Sequence, residues 1–258
     1  YGAYDNADTE GNNMAIGRDA LGGSINGGET NIAIGNYSLD ANTSGDLNIG
    51  LGYVSLTQNS TGSSNVGIGN SAMQLNQTGS SNTTLGNNSM KSSLSSSYNT
   101  AVGAEALFDA NRTADTDGYN TALGYNAGNT GTNDITTGNK NTLLGASTAA
   151  SAAAGTNQTV IGFGASGTAD NSVTIGNSSV TAWYPGSDDT ADLGSNSVEF
   201  KDLYIDGTAN LDAVDIDAGA IDGAAIGANS ASTGAFTTIT ASTSLDVTGS
   251  TGIILEND

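Results

Sequence analysis

Large apolar residues fall at fixed intervals along this chain. Ten times between residues 13 and 176, a repeated five-residue phrase ends on an aliphatic residue and a glycine, the aliphatic residues being Ile16, Ile34, Leu51, Ile68, Leu85, Val102, Leu123, Leu144, Ile161 and Ile175. Two positions earlier stand Met14, Ile32, Ile49 and Val66, then Thr83, Thr100, Thr121, Thr142 and Thr159, and finally Val173. Side chains two apart on a strand share a face, so each copy predicts a short strand with both of these residues on one side. The residue between them is usually Ala, Gly or Thr, as in Ala33, Gly50 and Thr84. The expectation is that the aliphatic residues form a continuous inner seam and that the small residues form a thin outer face. By the same parity, the threonines Thr83 to Thr159 are expected to point toward the core, which argues against a Thr-rich ice-binding face.

The ten glycines are 18, 17, 17, 17, 17, 21, 21, 17 and 14 residues apart. A near-constant period of this length signals one supersecondary unit stacked on copies of itself. A second apolar column follows five residues after the aliphatic one: Leu21, Leu39, Leu56, Met73, Met90 and Leu107. Turn-forming residues come next, such as Asn42-Thr43-Ser44-Gly45 and Asn59-Ser60-Thr61-Gly62. One such coil buries too few side chains to fold alone, so neighbours must stack, and ten coils at about 4.8 Å each make a rod on the order of 50 Å long. Asn stands three residues before the aliphatic position in eight copies, from Asn13 to Asn141. Stacked in register, these amides are expected to form a ladder that bonds coil to coil.

The two 21-residue spacings place extra residues near 111–118 and 129–138, which are expected to bulge outward as loops. Tyr119 and Tyr125 lie beside them and are candidate surface-binding residues. The pattern breaks after residue 180. Trp183 and Tyr184 precede the only proline, Pro185, and form a second candidate surface site as an aromatic platform. Phe200, Leu203 and Ile205 are expected to plug the end of the stack, because solenoids need a cap. Residues 211–258 carry sparse aliphatics among Gly, Ser and Thr, too few for a core unless three chains share one. The predicted organisation is a repeat array over 1–180, a cap or neck over 181–210 and a β-rich shaft segment over 211–258.

Composition narrows the function. The chain of 258 residues has 37 glycines, one proline, no histidine and no cysteine. The commonest general base, the thiol nucleophile and the soft metal ligands are therefore all missing. No pair of carboxylates forms a recognisable catalytic arrangement, so no catalytic or cofactor-binding residue is assigned and the chain reads as a non-enzyme. Ca2+ is the one cation considered, at Asp215, Asp217 and Asp222, but the spacing lacks the remaining ligands of a calcium loop and a solvated acidic turn reads better. Five basic residues against 26 acidic ones give a net charge of −21, which disfavours nucleic acid and anionic membranes as partners. No apolar run is long enough to span a membrane. Tyr1-Gly2-Ala3-Tyr4 reads as the second half of a repeat, so the chain is expected to be part of a longer protein.

The phrase Asn-[Ile/Thr/Val]-[Ala/Gly]-[Ile/Leu]-Gly-x-x-[Ala/Ser]-Leu resembles the head repeats of trimeric autotransporter adhesins, with Asn171 to Ser179 closest to their 14-residue form. The longer units, joined by segments such as Ala41 to Gly52, are similar to repeats of bacteriophage tail fibres. Asp192 to Leu211 and Ile221 to Ser242 also resemble phage-fibre sequence. The resemblance implies an all-β, left-handed parallel β-roll followed by a β-rich shaft, assembled as a homotrimer. It further implies an extracellular fibre of a virion tail that joins other tail proteins and attaches to a host cell-surface receptor, polysaccharide among the candidates. The alternative it implies is an adhesin head on a bacterial outer surface.

Overall fold

The computed structural model describes residues 11–110, 118–184, 186, 193–195, 197–206 and 209. The chain divides into two compact units, residues 1–189 and residues 190–258. The expected shaft over 211–258, with Asp215, Asp217 and Asp222, lies outside the described residues.

The first unit is a stack of ten three-residue strands. They are β1 (Met14–Ile16), β2 (Ile32–Ile34), β3 (Ile49–Leu51), β4 (Val66–Ile68), β5 (Thr83–Leu85), β6 (Thr100–Val102), β7 (Thr121–Leu123), β8 (Thr142–Leu144), β9 (Thr159–Ile161) and β10 (Val173–Ile175). Each pairs in parallel with the next, so strand order in the sheet equals chain order. Equivalent residues align without slip: Ile34 pairs with Leu51, Leu51 with Ile68, and Val102 with Leu123 across a 21-residue spacing. The result is an all-β parallel β-solenoid of about nine turns. Among the described residues there is no helix to cross a membrane.

The strands face the other way from the expected parity. The middle residue of each strand points inward: Ala33, Thr84, Ala101, Ala122, Leu143 and Val160 are fully or almost fully buried. The aliphatic residue before glycine points out, with Ile16 56% and Leu123 46% exposed. The cause is the narrowness of the coil. Its interior is already occupied by Leu21, Leu39, Leu56, Met73, Met90 and Leu107, all buried. A Cβ added at Gly67 would lie 3.1 Å from Leu56 Cγ and 2.9 Å from Ser55 Oγ. There is room opposite the leucine column for a small residue only. Where that column becomes Ala149, the strand residue enlarges to Leu143 and Val160, which conserves volume across the roll.

The 129–138 insertion also differs from a plain surface loop. Gly128 occupies the place of a column leucine, and Ile135 folds back to fill the gap, fully buried, with its N–H donating to the Gly128 carbonyl at 2.9 Å. A Cβ at Gly128 would lie 2.8 Å from Leu107 Cδ2. Residues 111–117 of the other insertion lie outside the described residues.

The asparagine ladder forms as expected. The Nδ2 of Asn48 donates to Asn31 Oδ1 at 3.1 Å, and the same bond links Asn82 to Asn65, Asn99 to Asn82, Asn120 to Asn99 and Asn141 to Asn120. Each Oδ1 also accepts a backbone N–H from the coil above, as Asn31 does from Asn48 at 2.8 Å. A second ladder, which the sequence reading treated only as turn chemistry, runs through Asn42, Asn59 and Asn76. The two ladders meet on one carbonyl in each coil that has both, at Gly45, Gly62 and Gly79: Gly62 O accepts from Asn48 Nδ2 and from Asn59 Nδ2, both at 2.8 Å. The second ladder stops where its next position is Ser93. Both Asn76 Oδ1 and Ser93 Oγ are then buried without a partner.

In the second unit, Ser195 and Val198 form an antiparallel bridge. Phe200, Leu203 and Ile205 are exposed within this unit.

Two stability predictions follow from the coil geometry. Gly69 has φ +135°, and a Cβ there would lie 2.4 Å from the Gly86 carbonyl oxygen. Gly69→Ala combines a steric clash with left-handed strain, so it should lower stability by at least about 1–3 kcal/mol in thermal or urea unfolding. Conversely, Ser93→Asn should extend the second ladder, give Asn76 Oδ1 a donor and raise the thermal midpoint. Removing an unsatisfied buried acceptor is worth about 1–3 kcal/mol. An unchanged or lower midpoint would count against the ladder account.

Candidate functional site, an outward apolar face

Turning the strands outward creates one continuous face. One column runs Met14, Ile32, Ile49, Val66, Thr83, Thr100, Thr121, Thr142, Thr159 and Val173, and the other runs from Ile16 to Ile175 through the residues before glycine. Because the register never slips, each column is straight. None of these positions carries a charge. The threonines therefore sit outside the roll, most of them exposed, contrary to the expected inward parity.

Two margins border the face. The residue before each ladder Asn lies on one side and the residue after each strand-end glycine on the other. Between Met14 and Ile175, every large exposed apolar side chain among the described residues belongs to the face or to these margins. Leu47, Tyr98 and Tyr119 occupy the first margin, and Tyr53, Tyr125 and Phe163 the second. Elsewhere on the coils Tyr37, Val54, Leu75, Leu94 and Phe108 are only partly covered. Gathering the most exposed apolar side chains on one side differs from the scatter of single exposed hydrophobics normal for a monomer; a large contiguous patch marks an interaction surface.

The sequence candidates Tyr119 and Tyr125 thus flank the same strand, β7, at 49% and 56% exposure. Tyr119 stacks on Tyr98 of the coil below, with ring centroids 5.1 Å apart and planes 14° apart. At the other margin, Tyr53 meets Tyr37 edge-on at 6.1 Å, and the Arg18 guanidinium lies 4.5 Å over the Tyr37 ring. Trp183 and Tyr184 are 79% and 82% exposed and lie beyond β10, three coils along from β7, so the candidates do not converge on one site. The sequence reading missed Leu47, Tyr53 and Tyr98, whose signal was available: each occupies the same phase of the repeat as Tyr119 or Tyr125.

Among the described residues no three carboxylates, histidines or cysteines gather as a metal site. Asp40 is a half-buried carboxyl directly after the column residue Leu39. Burial raises its pKa above the ordinary 3.8 and the Asp19 charge raises it further, opposed by the Gly22 N–H. The fold thus favours the protonated form, and stability is lost as pH rises from 3.8 through the raised folded value. Asp40→Asn keeps an acceptor for Gly22 and should be more stable than the parent at pH 7. The difference should close below pH 3.8 in unfolding measured across pH.

No protein-family model, no curated protein and no solved structure matches this chain.

Proposed function

We propose that this chain is the rod of a homotrimeric extracellular fibre, a structural part of a phage tail that attaches the virion to a host cell surface. The observation that carries the reading is the uncharged, apolar face along ten coils. Its strands lie about 4.8 Å apart and its margins about 20 Å apart, so each chain offers roughly 900 Å², about half of it to each of two neighbours in a trimer. Three faces turned toward a common axis leave the polar surfaces outward. They also keep the acidic residues, absent from both columns, away from the axis. The coil sense would be the left-handed one of the adhesin heads that the repeats resemble.

The work of such a rod is mechanical. Stiffness comes from parallel hydrogen bonding between coils, and three identical chains present each weak surface contact three times. Effective concentration then raises avidity without a deep pocket. The host receptor, with surface polysaccharide among the candidates, would meet the outward margins or the exposed Trp183 and Tyr184. The chain itself is expected to catalyse nothing. The alternative is an adhesin head on a bacterial outer surface, which the same repeat phrase supports. Antibodies against residues 11–180 separate the two: labelling of virion tails with blocked adsorption favours the fibre, and labelling of bacterial outer surfaces favours the adhesin.

A different class of reading draws on the exposed threonines. A flat column of Thr83, Thr100, Thr121 and Thr142 facing water suits an ordered water or ice surface.

Sedimentation equilibrium decides between buried and free faces. The expected mass is about three times the 25.4 kDa of one chain. Leu85→Glu with Leu123→Glu should reduce it to one chain while leaving the β spectrum intact, because each would bury an unpaired charge at the axis. A parent chain that sediments at 25.4 kDa and shows thermal hysteresis would replace the fibre reading with the ice one.

A further inference from the structure

We propose that the two margins of the face are the seams of the trimer, and that they meet coil for coil through aromatic and aliphatic clasps: Leu47 of one chain against Tyr53 of the next, and Tyr119 against Tyr125. The inference rests on the trimeric reading and adds the surface, partner position and register that it leaves open.

The argument begins with symmetry. In a closed three-membered ring each chain uses two different edges, so the first margin of one chain meets the second margin of its neighbour. A closed ring permits no net shift along its axis. Residues from the same coil therefore face each other across the seam. This makes a prediction about composition that the chain itself can answer: coils that are apolar on one margin should be apolar on the other.

Two coils match: coil 3, built on β3, exposes Leu47 on the first margin and Tyr53 on the second, and coil 7, built on β7, exposes Tyr119 and Tyr125. Coil 9, built on β9, is the exception, with Phe163 exposed opposite Asn157. Coil 6 sets the large Tyr98 opposite the small Ala104, which leaves space for the Tyr98–Tyr119 stack. The intervening coils 4 and 5 are polar on both sides, Ser64 with Asn70 and Ser81 with Asn87. Slipping one chain by a single coil would set Leu47 against Asn36 or Asn70 and Tyr119 against Ala104 or Ala146. Only the unslipped register pairs both clasps.

The chain has no cysteine, so paired cysteines report on the seam directly. Tyr119→Cys/Tyr125→Cys is the matched pair. Both phases tolerate small residues, Ser64 and Ser81 at one and Ala104 and Ala146 at the other. Within one chain the two positions lie at opposite ends of β7, well beyond the ~7 Å limit for a disulfide, so bonds form only between chains. Under mild oxidation the matched pair should run as a covalent trimer on a non-reducing gel. Leu47→Cys/Tyr53→Cys should do the same. The mismatched pair Leu47→Cys/Tyr125→Cys, four coils out of register, should give at least tenfold less. Sedimentation of each reduced variant is measured first. A trimer in solution whose matched pairs fail to cross-link, or cross-link no better than the mismatched pair, overturns the seam and leaves the trimer standing. A covalent dimer as the end product, or a single-chain sedimentation mass, overturns both.

Discussion

The width of one coil governs this molecule. Each turn encloses a leucine or methionine, a buried amide ladder and little else. That limit decides which strand residues are admitted inside, and only Ala, Gly or Thr fits opposite Leu39, Leu56 or Met90. Opposite an intact leucine or methionine column, larger strand side chains are turned out. The apolar face is thus a consequence of thin coils, as much as the core is. A stack this narrow cannot bury its own aliphatic residues, so what stabilises a coil internally also leaves it with a surface suited to a partner.

The amide ladders solve the companion problem of polar groups in a thin interior. Asn31 to Asn141 lie buried, yet each donates to the coil below or to a turn carbonyl and accepts from the coil above. Convergence of both ladders on a single glycine carbonyl, at Gly45, Gly62 and Gly79, ties the turn to the strand in those coils. The ladders also hold register. A coil displaced by one residue would strand several buried amides at once, a penalty that grows with each further coil. Straight outward columns, and hence a continuous face, depend on that register.

Irregular coils show the same constraint from the other side. The insertion at 129–138 returns Ile135 to the core because Gly128 has vacated a leucine site, and later strands enlarge to Leu143 and Val160 as the facing column shrinks to Ala149. Volume is conserved locally while sequence drifts. The aromatic margin residues follow a different rule: they fall in coils 3, 6, 7 and 9 and are absent from coils 4 and 5, a distribution that interior packing does not require.

Much of this was legible in the chain. The glycine period announced stacking, because only identical units repeat at fixed spacing. The position three before each aliphatic residue announced the ladder, because a buried amide needs an identical neighbour above and below. The column from Leu21 to Leu107 announced a core. The parity of the strands was not legible. Alternation of large, small, large states that two faces differ without saying which is inside, and hydrophobicity alone points to the wrong one. Only the coil's cross-section decides it, and that is set by residues elsewhere in the turn, Leu56 and Ser55 against Gly67 among them. Nor could sequence alone place Tyr119 beside Tyr98, or Tyr119 and Tyr125 on opposite margins of one face. Those relations span a whole coil, and they exist only once stacking has brought residues 21 apart to the same edge of the rod.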